Sequence, residues 1–131
     1  MARIKQTRKK KAGSGYTDRT ATEKGGRFQK AGRIAKCCLV YPNTYHSGMS
    51  NLGFQTVYRH ANLVDGVSCE RAFLPDRKIG KKRIQSLETR TDLSGFDIVL
   101  FSVSFENDYI HLASLLQDAG IPLRFSQRDQ S

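Results

Sequence analysis

The stretch Asn43-Thr44-Tyr45-His46-Ser47-Gly48-Met49-Ser50-Asn51-Leu52-Gly53 decides how this chain of 131 residues is interpreted. It follows an apolar run, residues 34–41, that is typical of a β-strand, and it precedes a run with helical periodicity, residues 52–63. In an open α/β sheet, ligands bind over such turns, at the carboxyl ends of the strands. The sequence therefore predicts a ligand site here.

Further strands and helices are predicted in alternation along the chain. Pro42 ends the first strand because proline cannot donate to a ladder, and Ser47 or Ser50 caps the helix that follows. Phe54, Val57, Tyr58 and Ala61 are spaced to form one apolar stripe on that helix. The later elements are strands at 67–73, 98–103 and 121–125, a turn at Asp65-Gly66, and a helix at 108–119 that Gly120 ends.

This order predicts an α/β fold with three layers. We expect a Rossmann- or flavodoxin-like, doubly wound, mostly parallel sheet of about four to five strands. The strand at 98–103 is almost continuously apolar, which is typical of a central strand that is covered on both faces. Because only four strands are recognisable, we expect either the front part of a larger protein or a minimal domain whose sheet edge needs a partner.

The positive charge lies at the start of the chain. Residues 1–36 hold 12 of the 22 lysines and arginines but only 2 of the 12 acidic residues. Such a composition favours disorder, so we divide the chain into a basic leader, 1–32, and an α/β domain, 33–131. The leader is either a solvated tail or an arm that contacts nucleic-acid phosphates. The second interpretation would use Arg3, Lys5, Arg8, Lys9, Lys10 and Lys11.

Several classes of protein are disfavoured by what the sequence lacks. It contains no apolar run that could cross a bilayer and no signal peptide, so we expect a cytoplasmic protein. Three cysteines without a CxxC pair do not support a disulfide framework or a cysteine-bound metal site built from this chain alone. Gly48 and Gly53 fit no GxGxxG motif, and Phe54-Gln55 replaces the Lys-Ser/Thr of a phosphate loop.

Polar groups follow three of the predicted strands. If the first and third strands are neighbours, the groups that follow them line one crevice, while Asp76 follows the second strand. Glu106 and Asp108 are either ligand-binding groups or acids that stabilise a helix N-terminus. The candidate binding residues are Asn43, Tyr45, His46, Ser47, Gly48, Ser50, Asn51, Gly53, Ser102, Ser104, Glu106 and Asn107.

Five blocks of sequence resemble the cobalamin-binding-like N-terminal domain of certain radical S-adenosylmethionine (SAM) proteins. The first runs from Val40 to Gly53, and the others lie at 69–76, 86–89, 96–109 and 116–124. They occur in order over residues 33–128, and the first fits a pattern similar to PNxYxxGMSNLGxQxxY. The resemblance implies a domain for cobalamin (vitamin B12), with the candidate binding residues as its site and His46 as a possible axial ligand of cobalt.

Two departures limit what the resemblance implies. The chain lacks the CxxxCxxC loop that binds a [4Fe–4S] cluster and SAM, so we expect no catalysis from it alone. Both cofactors, and the reaction, would belong to a radical SAM catalytic domain that acts in cis or in trans. The cobalamin motif DxHxxG is also incomplete, since the aspartate is absent and the spacing around His46 differs.

Three hypotheses follow from the sequence. The first is a cobalamin-binding-like accessory domain of a radical SAM enzyme. The second is a nucleic-acid-binding module that acts through the basic leader, whose affinity would fall steeply with salt. The third is a Rossmann-like interaction domain that binds no ligand and associates through its uncovered sheet edge.

Overall fold

The fold is an α/β arrangement around a small parallel sheet. A computed structural model describes residues 34–75 and 83–128. The leader, Asp76 and most of the basic connector predicted at 77–83 lie outside these residues. Three strands, β1 (Ala35–Thr44), β2 (Val67–Leu74) and β3 (Ile98–Phe101), pair in the order β2-β1-β3, with both pairings parallel. The first and third strands are therefore neighbours, which meets the condition that the sequence left open.

Helices cover both faces of the sheet. On one face, α2 (Leu52–Leu63) places Phe54 and Tyr58 against Cys37, Leu39 and Tyr41 of the central strand. On the other face, α3 (Asp108–Asp118) packs Leu115 against a second cluster built around Cys38 and Val40. The alternation of side chains along β1 places Cys37 and Cys38 in different clusters, on opposite faces of the sheet, and the helices on both faces yield the expected three layers.

The strand-to-helix turn differs from the prediction. Strand β1 runs through Pro42 to Thr44, because the pairing with β2 shifts register between Tyr41 and Thr44 and the missing proline N–H falls in that irregularity. Two helices follow instead of one: α1 (Tyr45–Met49), capped by Thr44, and α2, capped by Asn51. Ser47 and Ser50 are therefore not N-caps, since Ser47 lies inside α1 and Ser50 is its C-cap.

The third strand is an edge strand, so the prediction of a central strand covered on both faces was wrong. Ile98 and Leu100 are 45% and 37% exposed, because α2 covers β1 and β2 and does not extend over β3. The strand predicted at 121–125 was also wrong. Gly120 ends α3 with a φ of +70°, as predicted, and the chain then passes into a 3-10 turn at Phe125–Gln127.

The two edges of the sheet differ. At β2, the backbone of Arg71 is satisfied from outside the sheet, because Arg71 N donates to Glu88 Oε2 (2.8 Å) and Leu87 N donates to Arg71 O (2.7 Å). Strand β3 has no such cover among residues 34–75 and 83–128. None of the helices in these segments combines the length and the apolar character that crossing a bilayer requires.

Candidate functional site at the carboxyl ends of β1 and β3

The sheet order creates one point where the chain leaves the central strand in two directions. From β1 the chain continues through α2 to β2 on one side, while β3 lies on the other side and leads into α3. The carboxyl ends of β1 and β3 are therefore adjacent, with a helix N-terminus above each of them. This is the switch point at which open α/β sheets bind ligands.

The turn after β1 is held by its own side chains. Asn43 Oδ1 accepts a hydrogen bond from Thr44 N (2.8 Å), and Thr44 Oγ1 caps α1 through Ser47 N (3.4 Å). Ser50 Oγ donates to the carbonyl of His46 (2.8 Å). These local bonds fix the backbone, because they satisfy groups that a short helix leaves unpaired.

Asn51 and Ser104 join the two turns directly. Asn51 Oδ1 caps α2 through Phe54 N (2.9 Å), while Asn51 Nδ2 donates to Ser104 Oγ (3.2 Å). The hydroxyl of Tyr41, whose ring is buried in the core below, donates to the same Ser104 oxygen (3.3 Å). Two predicted site residues, 53 positions apart in sequence, therefore meet through their side chains.

The turn after β3 is stabilised by hydrogen bonds to the buried side chain of Asp108. The buried carboxylate of Asp108 accepts hydrogen bonds from Ser104 N (3.0 Å) and Phe105 N (2.9 Å). His111 Nδ1 lies 3.0 Å from the carbonyl oxygen of Pro42 and connects α3 to the end of β1. Asp108 thus stabilises the turn, which favours the structural interpretation of this residue over a ligand role.

The other predicted site residues have different environments around the turns that the Asn51–Ser104 hydrogen bond joins. Gly48 is buried, with Tyr41 and Phe73 close to its α-carbon. Tyr45 packs edge-on against Phe73, with ring centroids 5.2 Å apart, and the neighbouring His46 is exposed. Ser102 is half-buried and Gly53 is exposed in the first turn of α2; Glu106 and Asn107 are exposed before α3. Asp76 and the six basic leader residues lie outside the described chain.

Two large apolar side chains lie at the surface, one next to Asn51 and one next to Ser104 in the sequence. Leu52 directly follows Asn51 and is 78% exposed, and Phe105 directly follows Ser104 and is 66% exposed. Exposed apolar residues of this size beside fixed polar groups are typical of ligand-binding surfaces. The site thus offers hydroxyl and amide groups between two apolar contacts.

Sequence reasoning missed Tyr41 and the buried ion pair of Arg71 and Glu88. Arg71 Nε lies 2.7 Å from Glu88 Oε1, with side-chain exposures of 4% and 3%, and the Arg71 guanidinium stacks over the Tyr58 ring at 4.6 Å. Tyr58 OH also donates to Glu88 Oε1 (3.2 Å), and burial, followed by the Glu88 charge, raises the pKa of this tyrosine. The only available signal was an arginine in a strand of otherwise buried character.

The three cysteines take part in neither a disulfide nor a metal cluster. All three are free and buried in the strands. Burial is the main cause that raises their thiol pKa values, to about 12 for Cys69. Within residues 34–75 and 83–128, no group of three or more histidine, cysteine or acidic side chains is placed to hold a metal ion.

Comparison with known proteins identifies the family. No curated protein and no solved structure matches the chain. A family model described as radical SAM proteins, N-terminal, matches residues 53–131, a segment that begins at α2 and includes the turn after β3. Since this match covers more than half of the 131 residues, the chain belongs to the radical SAM N-terminal family.

Proposed function

We propose that this chain is the cobalamin-binding N-terminal domain of a radical SAM enzyme. The observation that carries the proposal is the hydrogen bond between Asn51 and Ser104, which joins two polar turns at the switch point of the sheet. The family supports the association with radical SAM chemistry. The resemblance of the first turn to cobalamin-binding-like domains supports the choice of cofactor.

The side chains at the site fit the chemistry of a corrin. Cobalamin carries an extended ring system with neutral carboxamide groups at its periphery. Leu52 and Phe105 offer apolar contacts for the ring, while Ser104 and Asn43 offer groups that bond amides. The exposed imidazole of His46 is the side chain of the turn that could bind cobalt. When bound, cobalamin would supply a cobalt centre for the transfer of methyl groups or electrons.

The roles of this chain would be to bind and to orient the cofactor. The bonds of Thr44, Asn51 and Asp108 fix the two turns before a ligand arrives, so little ordering entropy remains to be lost on binding. The SAM and [4Fe–4S] chemistry would come from a radical SAM catalytic domain, in the same polypeptide or in a separate one.

The open side of the sheet supports this choice of partner. Asn62 bonds to β2, and the opposite flank of α2 carries Val57 and leads to the C-cap Val64. These two valines are about half exposed, and Ile98 and Leu100 of β3 are also partly exposed. Neighbouring strands lie about 4.8 Å apart, and packed helices lie about 8–10 Å apart. A partner's helix that packed beside α2 would therefore lie over the boundary between β3 and a partner's strand paired with it. A strand followed by a helix would therefore cover both the β3 edge and this apolar surface.

A titration of the full chain with hydroxocobalamin tests the proposal. We expect saturable changes in the corrin absorbance and a melting temperature that rises with ligand concentration. A His46→Ala variant should alter the absorbance of the bound corrin, whereas His60→Ala, on the exposed side of α2, should not. A chain whose melting temperature and corrin spectrum stay unchanged at millimolar hydroxocobalamin would contradict the proposal.

A further inference from the structure

The oxygen of Ser104 already accepts hydrogen bonds from two partners. Tyr41 OH donates from the core side (3.3 Å), and Asn51 Nδ2 donates from the neighbouring turn (3.2 Å). A serine hydroxyl has two acceptor lone pairs and one proton. With both lone pairs in use, the proton of the exposed Ser104 is the hydrogen-bonding capacity that this side chain retains.

Each partner of Ser104 is itself held in place. The Tyr41 ring is 3% exposed and packs edge-on against Phe54, with centroids 5.4 Å apart. The Asn51 amide cannot rotate freely, because its oxygen caps α2. The backbone of Ser104 is fixed by Asp108. The Ser104 hydroxyl therefore keeps one orientation before a ligand binds, and it acts as a donor only.

A carboxylate bonds to the segment that carries Ser104. The charged group that bonds to the same segment is the buried carboxylate of Asp108, whose Oδ2 lies 3.0 Å from Ser104 N. None of the hydrogen bonds that Tyr41, Asn51 or Ser104 makes with other described residues involves a lysine or an arginine. Among the described groups bonded to this segment, an anionic oxygen would therefore find a carboxylate and no cation, whereas a neutral carbonyl oxygen would not be repelled.

We infer that Ser104 is a specificity-determining donor for a neutral carboxamide carbonyl of the ligand, and that Tyr41 is the positioning residue that fixes it. The inference rests on the proposed function and adds two things to it: the chemical class recognised at this atom and the role of a buried tyrosine. It also separates this site from a phosphate site, which would present cations or several free backbone N–H groups.

Two corrins that differ in their side chains provide the test. Dicyanocobinamide carries carboxamides, and cobyrinic acid carries carboxylates at the corresponding positions. We expect the full wild-type chain to bind dicyanocobinamide at least about tenfold more tightly at pH 7, because repulsion from Asp108 adds to the loss of a well-matched acceptor. Ser104→Ala should weaken dicyanocobinamide binding by about five- to tenfold, which is the usual effect of one hydrogen bond.

The Tyr41→Phe variant separates positioning from packing. It keeps the buried ring but frees one lone pair of Ser104, so we expect about threefold weaker binding of dicyanocobinamide and a smaller preference over cobyrinic acid. Ser114→Ala, whose hydroxyl bonds only within α3, is the control and should leave both affinities unchanged. Melting temperatures of all variants show whether each one is folded.

The outcomes distinguish the inference from the proposed function. If the wild type binds dicyanocobinamide but Ser104→Ala and Tyr41→Phe bind it equally well, the inference is overturned and the proposed function stands. Equal or tighter binding of cobyrinic acid by the wild type would overturn the neutral-carbonyl specificity. If the wild type binds neither these corrins nor hydroxocobalamin, the proposed function and the inference are both overturned.

Discussion

Gly48 leaves no room for a side chain in the turn after β1. A β-carbon built on it would lie against the Phe73 ring and 3.1 Å from Tyr41 Cγ, both of which belong to strands of the sheet. The φ angle of Gly48 is not in the left-handed region, so space, rather than backbone freedom, explains the glycine. The helix α1 can lie this close to the sheet because residue 48 carries a hydrogen atom in place of a side chain.

We expect Gly48→Ala to lower the free energy of unfolding by about 1–3 kcal/mol, since aromatic rings in the core must shift to accept a methyl group. Urea unfolding of the variant and the wild type measures this difference. Ser114→Ala, on the exposed side of α3, serves as the control. An equally stable Gly48→Ala variant would show that α1 can move away from the sheet without cost.

Burial of the cysteines predicts a pH dependence of stability. The pKa of Cys69 rises from an ordinary 9.0 to about 12 in the folded chain, mainly through burial. Its contribution to stability should therefore be complete below pH 9 and decline as the pH rises from 9 towards 12, because only the unfolded chain then releases the proton. Urea unfolding at pH 7 and pH 10.5 measures the decline, and a Cys69→Ala variant should reduce it. A decline of the same size in that variant would contradict the assignment to Cys69.

At the scale of the elements, the pair of Arg71 and Glu88 attaches the segment after β2 to the sheet. Glu88 accepts from both the side chain and the backbone of Arg71, at 2.7 and 2.8 Å. It thereby closes the outer edge of β2 at Arg71 and also bonds to α2 through the hydroxyl of Tyr58. A buried ion pair adds little net stability compared with an apolar pair, but the loss of one partner removes compensation from a charge that stays buried.

We therefore expect Glu88→Gln to lower the free energy of unfolding by about 2–4 kcal/mol, because Arg71 keeps its charge in a buried place. The surface pair of Arg83 and Asp92, 3.6 Å apart and with Arg83 largely exposed, is the matched control. Arg83→Gln should change stability by less than about 0.5 kcal/mol. Chemical denaturation of both variants provides the comparison, and similar losses in the two would contradict a special role for the buried pair.

At the scale of the whole molecule, the sheet has one closed edge and one open edge within residues 34–75 and 83–128. The outer edge of β2 is bonded by the segment around Glu88, while β3 exposes both its edge and the side chains of Ile98 and Leu100. Exposed apolar strand edges are sites of association, and natural proteins usually protect them. This asymmetry indicates the direction from which a partner would approach.

We predict that Leu100→Lys reduces concentration-dependent self-association without lowering the melting temperature, because the side chain contributes little to the core of the free chain. Light scattering and thermal unfolding of the full chain measure the two properties. Ala72→Lys, at a buried position of β2, is the contrasting variant and should unfold the domain. A loss of stability in Leu100→Lys would indicate that β3 is covered in solution.

The sequence predicted the order of the elements better than their limits. The apolar runs of β1 and β2, the helical stripe around Phe54 and the turn at Gly120 were all readable from local pattern. The short α1 was not readable in this way. Its N-cap is Thr44, and its position on the sheet depends on contacts with Phe73, which is distant in sequence. The edge position of β3 was equally invisible, since strand order is a property of the whole sheet.

The candidate site was predicted only in part. The sequence placed Asn51 and Ser104 after the first and third strands, and the structure makes these strands neighbours and brings the two side chains into contact. It did not identify Tyr41, because a tyrosine in an apolar strand gives no sign of where its hydroxyl points. It also gave two interpretations of Asp108, whose buried carboxylate accepts hydrogen bonds from the backbone of the turn after β3.

Hydrogen–deuterium exchange of the full chain, with and without hydroxocobalamin, measures whether the turns after β1 and β3 bind one ligand together. We predict that the ligand slows exchange in two separate segments together, residues 43–53 and 102–108, because both turns form one site at the switch point. Exchange elsewhere, including the exposed face of α2, should stay the same. Protection of only one of the two segments, or protection confined to other parts of the chain, would contradict a cofactor site between β1 and β3.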